Sequence, residues 1–137
     1  MSELSVELGT IGELIKKLVA EHRDFSSQTE RLDRSLRESQ TFHQLSEIFT
    51  PLKEALIDHM LVEETEIFPE VSARGLFSER VSEIMQQHLD ITAALDRMKF
   101  AIHGKNLGAA GEAFNELLSA MKIHFPAEES EVFSLLS

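Results

Sequence analysis

Residues 59–71 read HMLVEETEIFPEV, and residues 124–136 read HFPAEESEVFSLL. Both fit H-x-x-x-E-E-x-E-[IV]-F, and they stand 65 residues apart. In each copy the histidine and the first glutamate lie four positions apart, one turn along the same face of an α-helix. The apolar residues around them keep helical steps of three and four. Leu45, Ile48, Leu52 and Leu56 lead into His59, and Ile67 follows Glu63. Ala113, Leu117 and Met121 lead into His124, and Val132 and Leu135 follow Glu128.

Outward from these copies, EHRDF at residues 21–25 matches QHLDI at residues 87–91, at an offset of 66. His22 fills a gap in the stripe Ile11, Leu14, Leu18, Phe25, Leu32, Leu36. His88 fills one in the stripe Val81, Ile84, Ile91, Leu95, Met98, Ile102. Four helices are therefore expected, and six polar side chains on them face the core: His22, His59, Glu63, His88, His124 and Glu128. Each half of the chain is a helical hairpin carrying His, His and Glu. Two such halves about a pseudo-twofold axis make a symmetric six-ligand site.

Turn signals separate the stripes at Ser39–Thr41, at Pro69 to Ser78 with Gly75 inside, and at Gly104 to Gly108. Thr10 and Glu13 form a capping-box pattern for the first helix, and Gly104 is a candidate cap for the third. Short connections make sequential helices antiparallel neighbours. The expected fold is all-α: an antiparallel up-down-up-down four-helix bundle, internally duplicated, forming one domain over residues 1–137.

Height along the bundle tests the site. In an antiparallel hairpin, two residues are level when they lie equally far from the turn. His22 and His59 are centred between residues 40 and 41, His59 and His88 between 73 and 74, and His88 and His124 on 106. Each centre falls inside a turn, so the four histidines form one layer. His43 lies about 24 Å along its helix from His59, and His103 about 22 Å from His88. Both belong to the bundle ends as surface residues.

Composition bounds the chemistry. The 137 residues include nine Phe, no Trp or Tyr, and only three Pro and six Gly. There is no cysteine, which excludes disulfides, thiol chemistry and a cysteine-ligated cluster within this chain. The net charge of −11 repels phosphate backbones, so no nucleic-acid partner is expected. No apolar run approaches the roughly 18–20 residues of a membrane span, and the N-terminus lacks the pattern of a signal peptide. A soluble, cytoplasmic protein with no membrane partner is expected.

A lone histidine in a helical core is usually a hydrogen-bonded structural residue. Two core glutamates at one level are different, because burying unpaired carboxylates is expensive. No basic residue occupies the stripes at that height, so cations must compensate. Imidazole and carboxylate without thiolate suit iron, manganese or zinc rather than copper(I). Inward carboxylates and histidines on facing helices are the di-iron pattern of bundle proteins. Glu64 and Glu129 point about 100° away from the ligands, toward solvent or the ligands' outer side. Glu66, Glu131, Asp24 and Asp90 read as solvated. Phe68 and Phe133 read as core at the end of the site, and Met60, Met85 and Met121 as packing. Pro126, where the first copy has Leu61, should kink the fourth helix and make the two metal positions inequivalent.

The twice-repeated H-x-x-x-E-E-x-x-[IV]-F, with one further histidine upstream of each copy, resembles the hemerythrin-like, or HHE cation-binding, domains over essentially the whole chain. The resemblance implies a non-haem centre of two iron ions with oxo or hydroxo and carboxylate bridges. His22, His59, His88 and His124 would be terminal ligands, and Glu63 and Glu128 bridging carboxylates. Zinc and manganese are the alternative metals. Oxygen-carrying hemerythrins have a His-x-x-x-His pair on the third helix and an Asp in the fourth-helix motif. This sequence has Ile84 one turn before His88, and Glu128 in the motif. The symmetric set looks more like hemerythrin-like proteins linked to nitric oxide, redox stress and iron–sulfur repair. The expected function is binding or sensing of O2, nitric oxide or peroxide, rather than classical enzymology. The alternatives are a di-iron redox enzyme (peroxidase-like, ferroxidase-like or an iron donor in iron–sulfur repair) and a metal-free interaction bundle.

Overall fold

Helical periodicity over nearly the whole sequence produces a helix over nearly the whole chain. The computed structural model describes residues 3–38 and 41–136, with side chains from Ile11 on. All regular structure among the described residues is helical. The helices are α1 (Glu3–Arg37), α2 (Phe42–Val62), α3 (Phe68–Ala73), α4 (Glu79–His103) and α5 (Leu107–Glu131). A π-turn, Glu63–Ile67, joins α2 to α3 without interruption, so α2 and α3 act as one of four long segments. A 3-10 turn, Phe133–Leu135, follows α5.

Three helix starts are fixed by side-chain caps. The Thr41 hydroxyl accepts from the Gln44 amide at 3.1 Å, and the Gln44 side chain accepts from the Thr41 amide at 3.0 Å. Ser78 caps α4 through the Val81 amide at 3.1 Å, and Asn106 caps α5 through the Ala109 amide at 3.0 Å. Each such cap contributes about 1 kcal/mol. The Thr10–Glu13 pattern does not start a helix: α1 begins upstream at Glu3 and runs through it. The side chain of Thr10 lies outside the described residues, as do Ser39 and Gln40 of the expected first turn.

The second turn is shorter than Pro69 to Ser78, because Pro69 sits in the first turn of α3 and the helix continues to Ala73. Proline is tolerated there, where its missing N–H is not needed. The segment then closes with Gly75 at φ 71°: the Leu76 amide donates to Val71 O and the Gly75 amide to Ser72 O. The end of α4 repeats this pattern, with Asn106 N–H on Ala101 O and Lys105 N–H on Ile102 O. Here Gly104 is the cap residue at φ −81°, and the left-handed position falls to Lys105 at φ 54°. Pro51 and Pro126 both lie inside continuous helices.

The long segments neighbour one another in a ring: α1 packs on α2 and α5, α2 on α4, and α4 on α5. Two apolar clusters fill the centre. One holds Phe25, Leu32, Leu52, Leu95 and Leu117. The other holds Leu18, Ile67, Phe68, Ile84, Val132 and Phe133. The buried polar layer lies between them. No helix is long and apolar enough to cross a membrane.

Candidate metal centre

Each expected ligand comes from its own helical segment: His22 from α1, His59 and Glu63 from the α2–π-turn junction, His88 from α4, and His124 and Glu128 from α5. All six are buried, and Glu63, His124 and Glu128 are fully so, at 0% exposure. The height rule holds at atomic distance. His22 Nε2 and His59 Nε2 lie 3.1 Å apart, as do His88 Nε2 and His124 Nε2. His43 is exposed and pairs with Glu47 on its own helix, and His103 is exposed.

The carboxylates sit between the two histidine pairs. Glu63 turns Oε2 to His59 Nε2 at 2.9 Å and Oε1 to His88 Nε2 at 3.0 Å. Glu128 turns Oε1 to His22 Nε2 and Oε2 to His124 Nε2, both at 3.2 Å. Each carboxylate thus offers one oxygen to each pair. One donor group is His22, His59, Glu63 and Glu128; the other is Glu63, His88, His124 and Glu128. Within each, the donor atoms lie within 4.8 Å of one another.

The other face of every imidazole is anchored across the helices. His22 Nδ1 donates to Glu129 at 2.7 Å, and His59 Nδ1 to Glu21 at 2.7 Å. His88 Nδ1 donates to Glu64 at 2.8 Å, and His124 Nδ1 to the side-chain oxygen of Gln87 at 3.0 Å. An accepting oxygen requires a hydrogen on Nδ1, so a neutral ring turns a bare Nε2 lone pair inward. With all four rings neutral, four lone pairs and four carboxylate oxygens would converge. No hydrogen bond of acceptable geometry reaches any of those four oxygens, although imidazole nitrogens lie close by. No Lys or Arg is buried among the described residues. Two buried carboxylates without compensation cost several kcal/mol each, on the order given for desolvated ions.

Protons are the only compensation when no cation is bound. Burial and the facing Glu128 push Glu63 well above the usual carboxylate range. Burial would also raise Glu128, but its neighbours Glu63, His124, His22 and His88 outweigh it and hold Glu128 low. Burial would lower His88, but Glu128, Glu63 and Glu64 push it up to about 10. Burial lowers His124. The cluster is thus electrostatically incomplete, and its donors (imidazole nitrogen and carboxylate oxygen) are those that hold divalent metals.

Aromatic rings close the layer. Phe125 stacks on His22 with ring centres 4.1 Å apart, and Phe133 stacks on the same ring at 5.9 Å. Phe68 meets His88 edge-on at 5.9 Å. Ile84 packs fully buried in the apolar cluster beside the site, so it supplies no donor. Glu64 and Glu129 hold His88 and His22 from outside. Glu21 and Gln87, absent from the expected set, do the same for His59 and His124. Their signal lay in the duplication, since each immediately precedes a layer histidine. A cleft of about 530 Å³ between α1 and α5 also had no sequence signal; its lining includes His22, Glu129, Met121 and Phe125.

A helical protein with this buried histidine–carboxylate cluster belongs to the cation-binding helical domains. More narrowly, the chain is a member of the hemerythrin family: the model of the hemerythrin HHE cation binding domain matches residues 13–136. Comparison with curated proteins and with solved structures found no match.

Proposed function

We propose that His22, His59, Glu63, His88, His124 and Glu128 hold two iron ions, with Glu63 and Glu128 bridging them, and that the protein binds or senses O2, nitric oxide or peroxide there. The observation that carries this reading is the set of four fully buried carboxylate oxygens without hydrogen bonds, facing four inward imidazole nitrogens. Two cations would satisfy all eight donor atoms at once. Iron is favoured over zinc and manganese by membership of the hemerythrin family. Cross-helix partners such as His88–His124 and Arg80–Glu131 run in opposite directions along the sequence, which supports the antiparallel bundle.

Bound iron would supply a redox-active ion able to take a small ligand. The chain's own contribution is to fix the four imidazoles through Nδ1, to exclude water with Phe68, Phe125 and Phe133, and to provide buried negative charge. Apolar Ile84 leaves one donor fewer than the oxygen-carrying pattern, which favours sensing or handling over reversible carriage.

Metal analysis of anaerobically purified protein tests the reading: about two ions per chain are expected, two being the capacity of the donor set. Less than one ion per chain would sink it. Visible spectra of the reduced protein exposed separately to O2, peroxide and nitric oxide then divide sensor from enzyme. A lasting spectral change supports binding, whereas repeated consumption of peroxide supports a redox enzyme.

A further inference from the structure

The four outer anchors of the histidines are not equivalent. His22 and His59 both donate to carboxylates, Glu129 and Glu21, at 2.7 Å. On the other side, His88 donates to the Glu64 carboxylate at 2.8 Å, but His124 donates to a neutral amide, Gln87, at 3.0 Å. The duplication makes this a departure rather than a detail. Glu64 and Glu129 correspond at the offset of 65, and Glu21 corresponds to Gln87 at the offset of 66. Three of the four anchors are therefore acidic, and the fourth is neutral.

The chemical consequence follows from how imidazole donates. A carboxylate on Nδ1–H pulls the hydrogen outward and raises the electron density at Nε2. Charge-assisted hydrogen bonds are also shorter and about twice as strong as neutral ones, which agrees with the amide contact being the longest of the four. The pair His22–His59 thus has two enriched donors, and the pair His88–His124 has one. Glu63 and Glu128 are shared, each turning one oxygen to each pair, so they do not offset the difference.

We propose that the two metal positions are unequal by construction: the one at His22 and His59 fills first and holds its ion more tightly, and Gln87 makes the one at His88 and His124 the weaker, exchangeable position. This rests on the two-metal reading above and adds to it a positioning role for Gln87, which acts through His124.

The test is an anaerobic titration of the metal-free full chain with ferrous iron, read by equilibrium dialysis. Outer-anchor changes typically alter metal affinity about 10–100-fold. The second ion is therefore expected to dissociate at least about tenfold more readily than the first. Repulsion between two cations would also separate the steps, so the variants decide. Gln87→Glu should tighten the second ion about tenfold and leave the first within about twofold. Glu21→Gln, which keeps an acceptor for His59, should weaken the first ion by a similar factor. Mössbauer-active iron supplied only as the first equivalent should give one doublet, shifted by Glu21→Gln and unmoved by Gln87→Glu. Equal affinities in the unaltered chain, or a Gln87→Glu effect on both steps alike, would overturn the proposal while leaving the metal centre standing. Failure of the unaltered chain to bind one ion would overturn the metal reading itself, and this proposal with it.

Discussion

The two halves carry the same motif and finish it differently. In the first, the helix widens into a π-turn at Glu63, where the Phe68 amide reaches back to Glu63 O, and then continues as α3 to Ala73. In the second, α5 stays regular through Glu128, stops at Glu131 and ends in a single 3-10 turn. Yet Glu63 and Glu128 arrive in matching positions, each with its two oxygens divided between the histidine pairs. Small supports match too. Thr65 donates its hydroxyl to Leu61 O at 2.9 Å, and Ser130 donates to Pro126 O at 2.9 Å. The histidine–glutamate turn is thus the conserved unit of the duplication, and the backbone beyond it is free to diverge. π-turns often mark functional sites; this one begins on a carboxylate of the buried histidine–glutamate cluster in one half only.

The largest expected effect tests whether the halves are equal at their shared carboxylates. Glu63→Ala and Glu128→Ala each remove an oxygen from both donor groups. Either change should reduce bound metal from about two ions to fewer than one, measured on anaerobically purified protein, because both donor groups include both residues. If Glu128→Ala kept a full pair of ions while Glu63→Ala lost both, the π-turn half alone would carry the centre and the equivalence would be broken.

The next effect sharpens the backbone difference. Pro126 has no N–H, so the Lys122 carbonyl lacks its helical donor, whereas Leu61 at the matching position keeps one. Proline inside a helix costs about 3 kcal/mol relative to alanine. Leu61→Pro should therefore destabilise the protein by about 3 kcal/mol. Pro126→Leu should stabilise it, by less than that amount since α5 already runs continuously through the site. Urea unfolding of the metal-free protein checks both. A destabilising Pro126→Leu would mean that the second half depends on its proline.

How much of this was legible in the sequence depends on the range of the interaction. The six central residues could be read because stripe membership and height along a hairpin are one-dimensional quantities. Glu64 and Glu129 could be placed only on the outer side of the central cluster, since their partners lie on other helices. Glu21 and Gln87 escape stripe and height for the same reason, since they meet His59 and His124 on other helices, although an acid or amide before the histidine repeats in the sequence. The Thr10–Glu13 pattern misled because a cap is a local signature, and here the helix already exists upstream of it. Pro69 misled in the opposite way: a π-turn just before it resets the helix, so the proline stands in a first turn, where it is harmless.

A smaller effect separates the two inter-helix turns. Both close with the same pair of backbone hydrogen bonds, but the left-handed residue is Gly75 after the first half and Lys105 within the second. A side chain in that conformation costs about 1–2 kcal/mol. Gly75→Ala should destabilise by about 1 kcal/mol, although a Cβ there would meet no neighbour within 4 Å, so the cost is one of backbone conformation. Lys105→Gly should stabilise by a similar or smaller amount, visible as a rise in Tm of about 3 °C. Equal responses of the same sign would show that the turns are not alike.

The smallest expected effect lies at the ends of the two motifs. Glu66 is exposed, while its counterpart Glu131 is clasped by Arg80 of α4, with Nε on Oε1 at 3.0 Å and Nη2 on Oε2 at 2.8 Å. This bidentate pair ties the short end of the second half to α4, a tie the first half does not need because α3 continues it. The hydrogen bond from Arg80 holds the Glu131 carboxyl below its usual range. A carboxylate lowered in the folded state stabilises the fold above its unfolded pKa, and the contribution fades as pH falls through the folded value. Arg80→Ala should therefore lower the urea midpoint slightly at neutral pH, and the difference from the unaltered chain should shrink on acidification below about pH 4, the unfolded carboxylate range. The pair is exposed, so added salt should shrink the difference as well. A gap that widened in acid would assign Arg80 some role other than holding Glu131, and the contrast between the two motif ends would then need a different cause.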